Sequence, residues 1–278
     1  MGWHGRLDLR YRLDGERTVA HDRHEGPLRV LASLYPEAPS VCHHVLVHPP
    51  GGIVGGDTLH VDAELAPGAH ALITTPGATR FYRSAGETAM QAVQAGVGDR
   101  ARLEWLPLET LVYSGALAEN RMCFKLTERA EMIGWDVLAL GLPASNEPFE
   151  GQPGRYEQRI ELPGVWLEHG RVDAADARLL DSPLGWAGQR VLATLWFGCG
   201  ASMPQERIDA LLSSARDVAA ASPLAATSGV SSAHRQLVVT RVLAPRVEPA
   251  MALLCGVWSH WRRVAWGLSA CTPRVWRT

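Results

Sequence analysis

Apolar and polar positions alternate along most of the first two hundred residues or so of the chain. Leu7, Leu9, Tyr11 and Leu13 alternate with charged neighbours. Successive side chains of a strand point to opposite faces, so this pattern predicts a half-buried β-strand. The same alternation, or a short apolar run, predicts further strands at residues 41–47, 59–65, 71–75, 89–93, 102–106, 110–113, 122–126, 131–140, 156–162, 165–169, 190–197 and 236–243.

Short turn sequences separate several of these predicted strands. Asp14-Gly15 follows the first strand and predicts a tight turn. Pro67-Gly68 stands between residues 59–65 and 71–75, and Pro163-Gly164 stands between two later strands. Both Pro-Gly pairs predict β-hairpins.

Helical periodicity occurs only in the last third of the chain. Residues 204–221 and 248–268 carry apolar side chains at helical spacing. Ser202 and Gln205 have the spacing of a capping box, which predicts Ser202 as the N-cap of the first helix. Strands and helices do not alternate, so a doubly wound sheet is excluded. No linker is visible, and we expect a mostly β domain over residues 1–278 with two helices in its C-terminal third.

Composition narrows the classes of function. The chain has 27 basic and 29 acidic residues, a net charge of −2 that gives no electrostatic case for binding nucleic acid or an anionic membrane. The five cysteines include no Cys-x-x-Cys, and the N-terminus lacks the apolar core of a signal peptide. Apolar stretches are too short to span a membrane. We therefore expect a soluble, cytoplasmic protein with reduced thiols.

A glycine-rich loop holds the densest group of special-geometry residues. Gly51, Gly52, Gly55 and Gly56 have the glycine spacing of a phosphate-binding P-loop, with Asp57 at the position of its lysine. An aspartate about 4 Å from a phosphate costs roughly 4 kcal/mol at an effective dielectric of about 20. The loop is also followed by a predicted strand instead of a helix N-terminus. The sequence therefore favours a tight strand connection over a nucleotide site.

Histidines and carboxylates flank this loop. If strands 41–47 and 59–65 lie side by side, these side chains converge near Asp57 and offer nickel or zinc a site. No compact signature such as His-Glu-x-x-His is present, so a solvated polar surface is the competing interpretation. The candidate ligands are His44, His48, Asp57, His60, Asp62 and Glu64.

No catalytic nucleophile is indicated, because the chain has no G-x-S-x-G elbow and no cysteine in a catalytic context. The segment after the loop mixes hydroxyls, arginines and aromatics, as interfaces do, although a hairpin end with stacked side chains fits it equally. Its notable residues are Thr75, Gly77, Arg80, Tyr82 and Arg83. Among the tryptophans, Trp258 and Trp261 are predicted core residues, and Trp266 and Trp276 are candidates for a partner interface.

Several separate motifs resemble the UreD family of urease accessory proteins, called UreH in some organisms. They are residues 48–57 (His-Pro-Pro-Gly-Gly-Ile-Val-Gly-Gly-Asp), 65–84, 103–110 (Leu-Glu-Trp-Leu-Pro-Leu-Glu-Thr), 134–145 (Gly-Trp-Asp-Val-Leu-Ala-Leu-Gly-Leu-Pro-Ala-Ser), 182–188 (Ser-Pro-Leu-Gly-Trp-Ala-Gly) and 271–278 (Cys-Thr-Pro-Arg-Val-Trp-Arg-Thr). The resemblance covers nearly the whole chain. One departure is Pro50, which stands where the family commonly has Thr or Ser, so no polar role is assigned to it.

The resemblance implies a fold of short strands stacked in a helical, layered arrangement with two helices. It also implies a non-enzymatic nickel chaperone or scaffold for metallocentre assembly that works with UreF, the GTPase UreG and the urease apoprotein. A dimeric UreD–UreF–UreG complex is a further expectation. Nickel would pass through a water-filled tunnel, so no cofactor would be bound stably. The alternative, from another class, is a β-rich metal-dependent hydrolase that uses His44, His48, Asp57 and His60.

Overall fold

Two β-sheets facing each other form most of the computed structural model, which describes residues 2–277. The first sheet has seven strands. In spatial order they are β14 (Trp166–Asp173), β13 (Arg155–Leu162), β11 (Leu117–Leu126), β8 (Ala89–Val97), β5 (Thr58–Leu65), β1 (His4–Asp14) and β2 (Arg17–Glu25). Its inner five strands, from β13 to β1, run parallel to one another.

The second sheet has a parallel part and an antiparallel part. Four neighbouring strands pair in parallel, and three further strands continue the sheet in antiparallel order. In spatial order it contains β16 (Ser228–His234), β17 (Leu237–Ala244), β15 (Val191–Cys199), β12 (Glu131–Leu140), β9 (Arg102–Trp105), β6 (His70–Thr74), β4 (Val41–Val47) and β3 (Arg29–Val30), and its parallel part runs from β12 to β4. Strand β10 (Thr110–Val112) pairs with β12, and β7 (Thr79–Phe81) pairs with β10. The expected mostly β architecture of stacked short strands is confirmed.

The chain winds as a coil, because β5, β8 and β11 of the first sheet each lead directly to β6, β9 and β12 of the second. The hairpin predicted at Pro67-Gly68 is therefore wrong: this turn is a corner between two sheets. Backbone hydrogen bonds join this corner to the next coil. Gly68 N donates to Asp99 O (2.9 Å), and Gly98 N donates to Leu65 O (2.8 Å). Stacking of successive coils replaces the hairpin pairing.

The other two predicted turns have the expected form. Asp14-Gly15 joins the antiparallel strands β1 and β2, and Gly15 has a φ of 60°. Pro163-Gly164 joins β13 and β14, which are antiparallel with Leu162 opposite Trp166. Local turn chemistry thus predicts hairpins correctly where no parallel neighbour competes for the turn.

The helices lie in the C-terminal part of the described chain. They are α1 (Ala177–Asp181), α2 (Gln205–Ala221) and α3 (Val247–Trp266). Both predicted helices are confirmed, whereas the short α1 was not expected from the sequence. The predicted cap at Ser202 is wrong, because Pro204 is the N-cap of α2 and makes no side-chain capping bond. Short 3-10 turns occupy Pro143–Ser145, Phe149–Gly151, Ala225–Thr227 and Arg274–Arg277.

Two apolar cores result from this layering. The first lies between the two sheets, and the second lies between the second sheet and helices α2 and α3. The opposite face of the first sheet carries charged side chains, including Arg6, Asp8 and Asp62. Among the residues that the structure describes, no helix has the length and apolar character needed to cross a membrane.

Candidate functional site

The glycine-rich loop connects β4 in the second sheet to β5 in the first. Gly51 N donates to His48 O (2.9 Å) at its start, and Asp57 N donates to Val54 O (3.0 Å) at its end. Between these turns, Ile53 N donates to Arg80 O (2.7 Å), which ties the loop to β7. The loop is therefore fixed at both ends and in the middle.

Glycine is required in this loop for two different reasons. Gly51 and Gly56 have φ values of 78° and 90°, which side chains rarely adopt. Gly52 and Gly55 are needed for space, because a Cβ at Gly52 would overlap the Tyr82 ring and one at Gly55 would overlap Ser84 Oγ.

Asp57 closes the loop with its carboxylate. Its Oδ1 accepts the backbone N–H of Trp3 (2.7 Å), and its Oδ2 accepts that of Val54 (3.0 Å). The residue is only 7% exposed. Both oxygens are thus engaged by backbone donors, and the carboxylate joins the N-terminal segment to the loop.

A cavity of about 250 Å³ opens beside the loop and extends between the two sheets. Its mouth is formed by Gly51, Gly52 and the turn of residues 75–80, which includes the predicted Thr75, Gly77 and Arg80. Thr75 fixes this turn, because its Oγ1 donates to Gly77 O and accepts from Leu108 N, each at 2.9 Å. Apolar side chains line the walls, and Gln91 and Trp105 lie on the lining with them. The glycine loop and the segment after it therefore form one site.

A row of polar side chains, here named the polar seam, continues from this cavity through the first core. Gln91, Asn120 and Gln158 occupy facing positions on β8, β11 and β13. Asn120 Nδ2 donates to Asp136 Oδ1 (3.4 Å) and Gln158 Nε2 donates to Asp136 Oδ2 (2.5 Å), while Gln91 Nε2 donates to Asn120 Oδ1 (3.4 Å). Asp136 reaches this row from β12 of the opposite sheet. Its burial raises the pKa of its carboxyl to about 7.

The far end of the polar seam reaches the surface at Glu168. Asp136, Thr194 and Arg241 occupy facing positions on β12, β15 and β17. Thr194 Oγ1 donates to Glu168 Oε1 (3.3 Å), and Arg241 forms an ion pair with Glu168. Arg241 is nearly half exposed, so this end is closed by a surface ion pair.

Sequence reasoning missed the polar seam. Its signal is present, because Asn120 and Gln158 stand at alternate positions shared with buried apolar side chains of their strands. Asp136 lies within the family-like motif 134–145, but a single acid in an apolar run has no spacing that identifies it. Only the pairing of the strands aligns these residues.

The predicted metal ligands are dispersed by the topology, because β4 and β5 lie in different sheets. His44 points into the first core, where Tyr11 Oη (2.7 Å) and Ser33 Oγ (2.9 Å) contact its two ring nitrogens. Burial lowers the pKa of His44 to about 4. His48 lines the cavity, and burial lowers its pKa as well, opposed by the nearby charge of Asp57.

The remaining predicted ligands lie on the outer face of the first sheet. His60, Asp62 and Glu64 alternate with the buried residues of β5, and Asp62 pairs with Arg6 at 3.0 Å. Across residues 2–277, no group of three or more His, Cys, Asp or Glu side chains is arranged to hold a metal ion.

The aromatic candidates belong to the second core. Trp266 is 8% exposed and its Nε1 donates to Glu131 Oε2 (2.6 Å). Trp276 Nε1 donates to Thr74 Oγ1 (2.7 Å), and its ring lies 5.2 Å from that of Trp135. Trp266 is thus buried, and Trp276 packs half-buried against the second core. Trp258 and Trp261, predicted as core, are buried.

Tyr82 and Arg83 follow β7 at the edge of the loop. The Tyr82 ring lies 5.0 Å from that of Tyr113 and covers Gly52. Arg83 is exposed and its side chain lies near Gly115. Tyr82 therefore supports the loop, whereas Arg83 faces solvent.

A second buried polar cluster lies under α3. Glu37 pairs with His43 (2.7 Å) and with Arg262 (2.7 Å), and Arg262 is completely buried. Glu104 accepts from Trp258 Nε1 (2.6 Å) and contacts His70 Nε2 (2.8 Å). These bonds join α3 to β4, β6 and β9, so the cluster positions the helix on the sheet.

Comparison with known proteins identifies close relatives. A family model described as UreD urease accessory protein matches residues 4–277. The chain is 64% identical to the urease accessory protein UreD of Leptothrix cholodnii, with all of both chains covered. It is 57% identical to the protein of that name from Paracidovorax citrulli, over 99% of both chains. The corresponding protein of Variovorax paradoxus is 56% identical over the full length of both.

Proposed function

Because this chain belongs to the family of UreD urease accessory proteins, we propose that it is a non-enzymatic maturation factor that passes nickel to apo-urease. It would act in the cytoplasm in a complex with UreF and the GTPase UreG, and we propose that this complex is a dimer of the three-protein unit. The observation that carries the nickel proposal is the polar seam between the two sheets.

The polar seam suits a divalent cation in transit. Amide and carboxylate oxygens of Gln91, Asn120, Asp136 and Gln158 follow one another through the largely apolar first core. A cation that meets one or two oxygens at a time is held weakly, whereas a tight site surrounds it with four or more ligands. Weak successive contacts favour transfer over retention.

Asp136 is the central group of this proposed route. Its carboxyl has a pKa of about 7, so protonated and ionised forms are both populated near neutral pH. An approaching cation favours the ionised form, because an opposite charge within a few Å lowers the pKa of a carboxyl. Entry of nickel would then release a proton, and departure of nickel would take one up.

The glycine loop lacks the features of a nucleotide-binding P-loop, which is why the proposal includes a partner that hydrolyses GTP. The glycine loop has Asp57 in place of a P-loop lysine and leads into strand β5. Hydrolysis of GTP is therefore assigned to UreG. Trp266 is buried in the second core, so of these two candidates the half-buried Trp276 is the one left for docking of UreF or urease.

The alternative function, a metal-dependent hydrolase, requires His44, His48, Asp57 and His60 around one ion. Tyr11 and Ser33 engage both ring nitrogens of His44, and backbone donors engage both oxygens of Asp57. His60 lies on the opposite face of the first sheet. No observation favours that function over nickel transfer.

Replacement of Asp136 by Asn tests the nickel route. The change keeps the shape of the side chain and one acceptor oxygen but removes the ionisable carboxyl. We expect urease co-expressed with the Asp136→Asn protein to contain several-fold less nickel, measured by mass spectrometry of purified urease, while the accessory complex still forms. The matched control is Asp62→Asn on the outer face of the first sheet.

Three outcomes are distinguished by this experiment. Normal nickel content with Asp136→Asn refutes the route through the polar seam. Loss of complex formation in that variant assigns Asp136 a role in assembly instead. Tight stoichiometric metal and turnover of a substrate by the isolated chain would refute the accessory function itself.

A further inference from the structure

The cavity beside the glycine loop has a chemical character of its own. It is lined mostly by apolar side chains such as Leu46, Val61 and Val93. Its polar lining includes Arg80 and His48, and no Asp, Glu or Cys lines it. A cation entering here finds a guanidinium and no anionic ligand, so the cavity suits an acceptor of hydrogen bonds.

Arg80 is the main cationic group at the mouth. Its backbone is fixed, because Arg80 O accepts from Ile53 N (2.7 Å) and β7 pairs with β10. Its guanidinium Nη1 lies about 4.0 Å from the point where a side chain at Gly51 would begin. Arg80 forms no ion pair or side-chain hydrogen bond with any residue from 2 to 277.

Two other arginines that are largely or fully buried do have acidic partners. Arg190 lies between Glu150 and Asp181, and Arg262 pairs with Glu37. A half-buried guanidinium with five donors and no acceptor is poorly solvated and available for an external anion. A carboxylate matches its planar fork with two parallel hydrogen bonds.

Two further donors line the cavity. The His48 ring, half-buried, makes no hydrogen bond to another described residue. Trp105 is 3% exposed, and its indole Nε1–H has no acceptor among the described residues. Buried donors are normally satisfied, so this unpaired indole N–H adds hydrogen-bonding capacity to a residue of the lining.

We propose that this cavity binds a carboxylate group carried on a short apolar body, with Arg80 holding the carboxylate at the mouth and the apolar walls enclosing the body. A volume of about 250 Å³ admits only a small ligand or a single side chain. The same chemistry has two sources: a free small carboxylic acid, or an acidic side chain of a protein that docks at the glycine loop. The proposal does not depend on nickel transfer.

Calorimetric titration of the purified full-length chain tests the carboxylate site. Butyrate and n-butylammonium have apolar bodies of similar size and opposite charge. We expect saturable binding of butyrate and none of n-butylammonium. Arg80→Gln should weaken butyrate binding at least tenfold, and Arg80→Lys, which keeps the charge but loses the fork, should weaken it less.

Arg10→Gln is the matched control, because Arg10 is an exposed arginine on β1 that lies outside the cavity. It should bind butyrate like the unaltered protein. Thermal melting of each variant, followed by circular dichroism, verifies that it is folded before its titration is interpreted.

A second arm identifies the source of the carboxylate. The same variants are co-expressed with urease and its accessory proteins, and the recovered complex is quantified with and without butyrate. Loss of complex in Arg80→Gln but not in Arg10→Gln, together with competition by butyrate, assigns the carboxylate to a protein partner. Butyrate binding with an unchanged complex assigns it to a free acid.

The proposal is overturned if n-butylammonium binds as well as butyrate. It is equally overturned if neither butyrate binding nor complex formation depends on Arg80 in folded variants.

Discussion

Replacing Asp57 by Ala should destabilise the protein by removing an internal anion from the glycine loop. Asp57 accepts backbone N–H bonds from Trp3 and Val54, at 2.7 and 3.0 Å, and is only 7% exposed. A hydrogen bond to a charged group is worth about 1.5–3 kcal/mol, and a buried donor left unpaired costs a similar amount. Two such bonds, with some access of water to the emptied site, give an expected loss of about 3–5 kcal/mol in the free energy of unfolding.

Urea unfolding of the purified protein measures this loss, and Asp62→Ala is the control. Asp62 pairs with Arg6 at 3.0 Å on a solvent-exposed face, and surface pairs of this kind contribute roughly 0–1 kcal/mol. Hydrogen exchange supplies a local measurement, because the amides of Trp3 and Val54 should lose protection in Asp57→Ala before the sheets do.

The structural reasoning fails if Asp57→Ala unfolds like Asp62→Ala and the two amides keep their protection. A fully folded Asp57→Ala protein that no longer supports nickel loading of urease would instead give this carboxylate a direct role in transfer. If maturation falls only in proportion to the folded fraction, the role of Asp57 is to hold the loop.

Two further predictions concern His44 and Gly52. Burial lowers the pKa of His44 from 6.5 to about 4, so between these pH values the unfolded chain binds a proton that the folded chain does not. The free energy of unfolding is therefore highest above a pH of about 6.5. It falls by up to about 3 kcal/mol as the pH drops towards 4. Urea unfolding at several pH values should show a flatter dependence in His44→Gln, and an unchanged slope would contradict the assignment. Gly52→Ala forces the Tyr82 ring to move and should cost about 1–3 kcal/mol, whereas Gly170→Ala, which meets nothing within 4 Å, should be nearly neutral. Equal stability of these two alanine variants would show that the loop adapts freely.

The two Pro-Gly pairs show how far the sequence predicts the fold. Pro163-Gly164 forms the expected hairpin between β13 and β14, whereas Pro67-Gly68 turns the chain from one sheet to the other. The dipeptide is the same in both turns. The difference comes from Gly98 and Asp99 of the next coil, which form backbone hydrogen bonds with Leu65 and Gly68. Alternation and turn chemistry are local and therefore predict strands; the choice of sheet partner is not local.

The corners between the two sheets share one small feature, a buried alanine. Ala69, Ala101 and Ala130 each close a corner by donating a backbone N–H to the residue three positions earlier, and each is completely buried. Only an alanine and the strand alternation recur from coil to coil. Such a repeat has almost no sequence identity, so local patterns along the chain do not predict the coil, and only the family resemblance implied it.

The candidate site likewise has one part that the sequence predicts and another that it does not. Glycine spacing located the loop and the mouth of the cavity, because backbone geometry restricts residue type locally. Asp136 and its amide neighbours come from four strands that are separated along the chain. Their convergence depends on strand register, so no spacing along the sequence encodes it.

The likeness of the loop to a P-loop has a physical explanation. Both arrangements place backbone N–H groups around an anion, and glycines allow the backbone to approach it. In a P-loop the anion is a phosphate from outside. Here it is the carboxylate of Asp57, which stands where the lysine would be and accepts the N–H groups of Val54 and Trp3. The loop thus carries its own anion, and the N–H groups of Gly51, Val54 and Gly56 have internal acceptors. For an external anion, the proposed binding group is Arg80 on β7, whose side chain has no partner among the described residues.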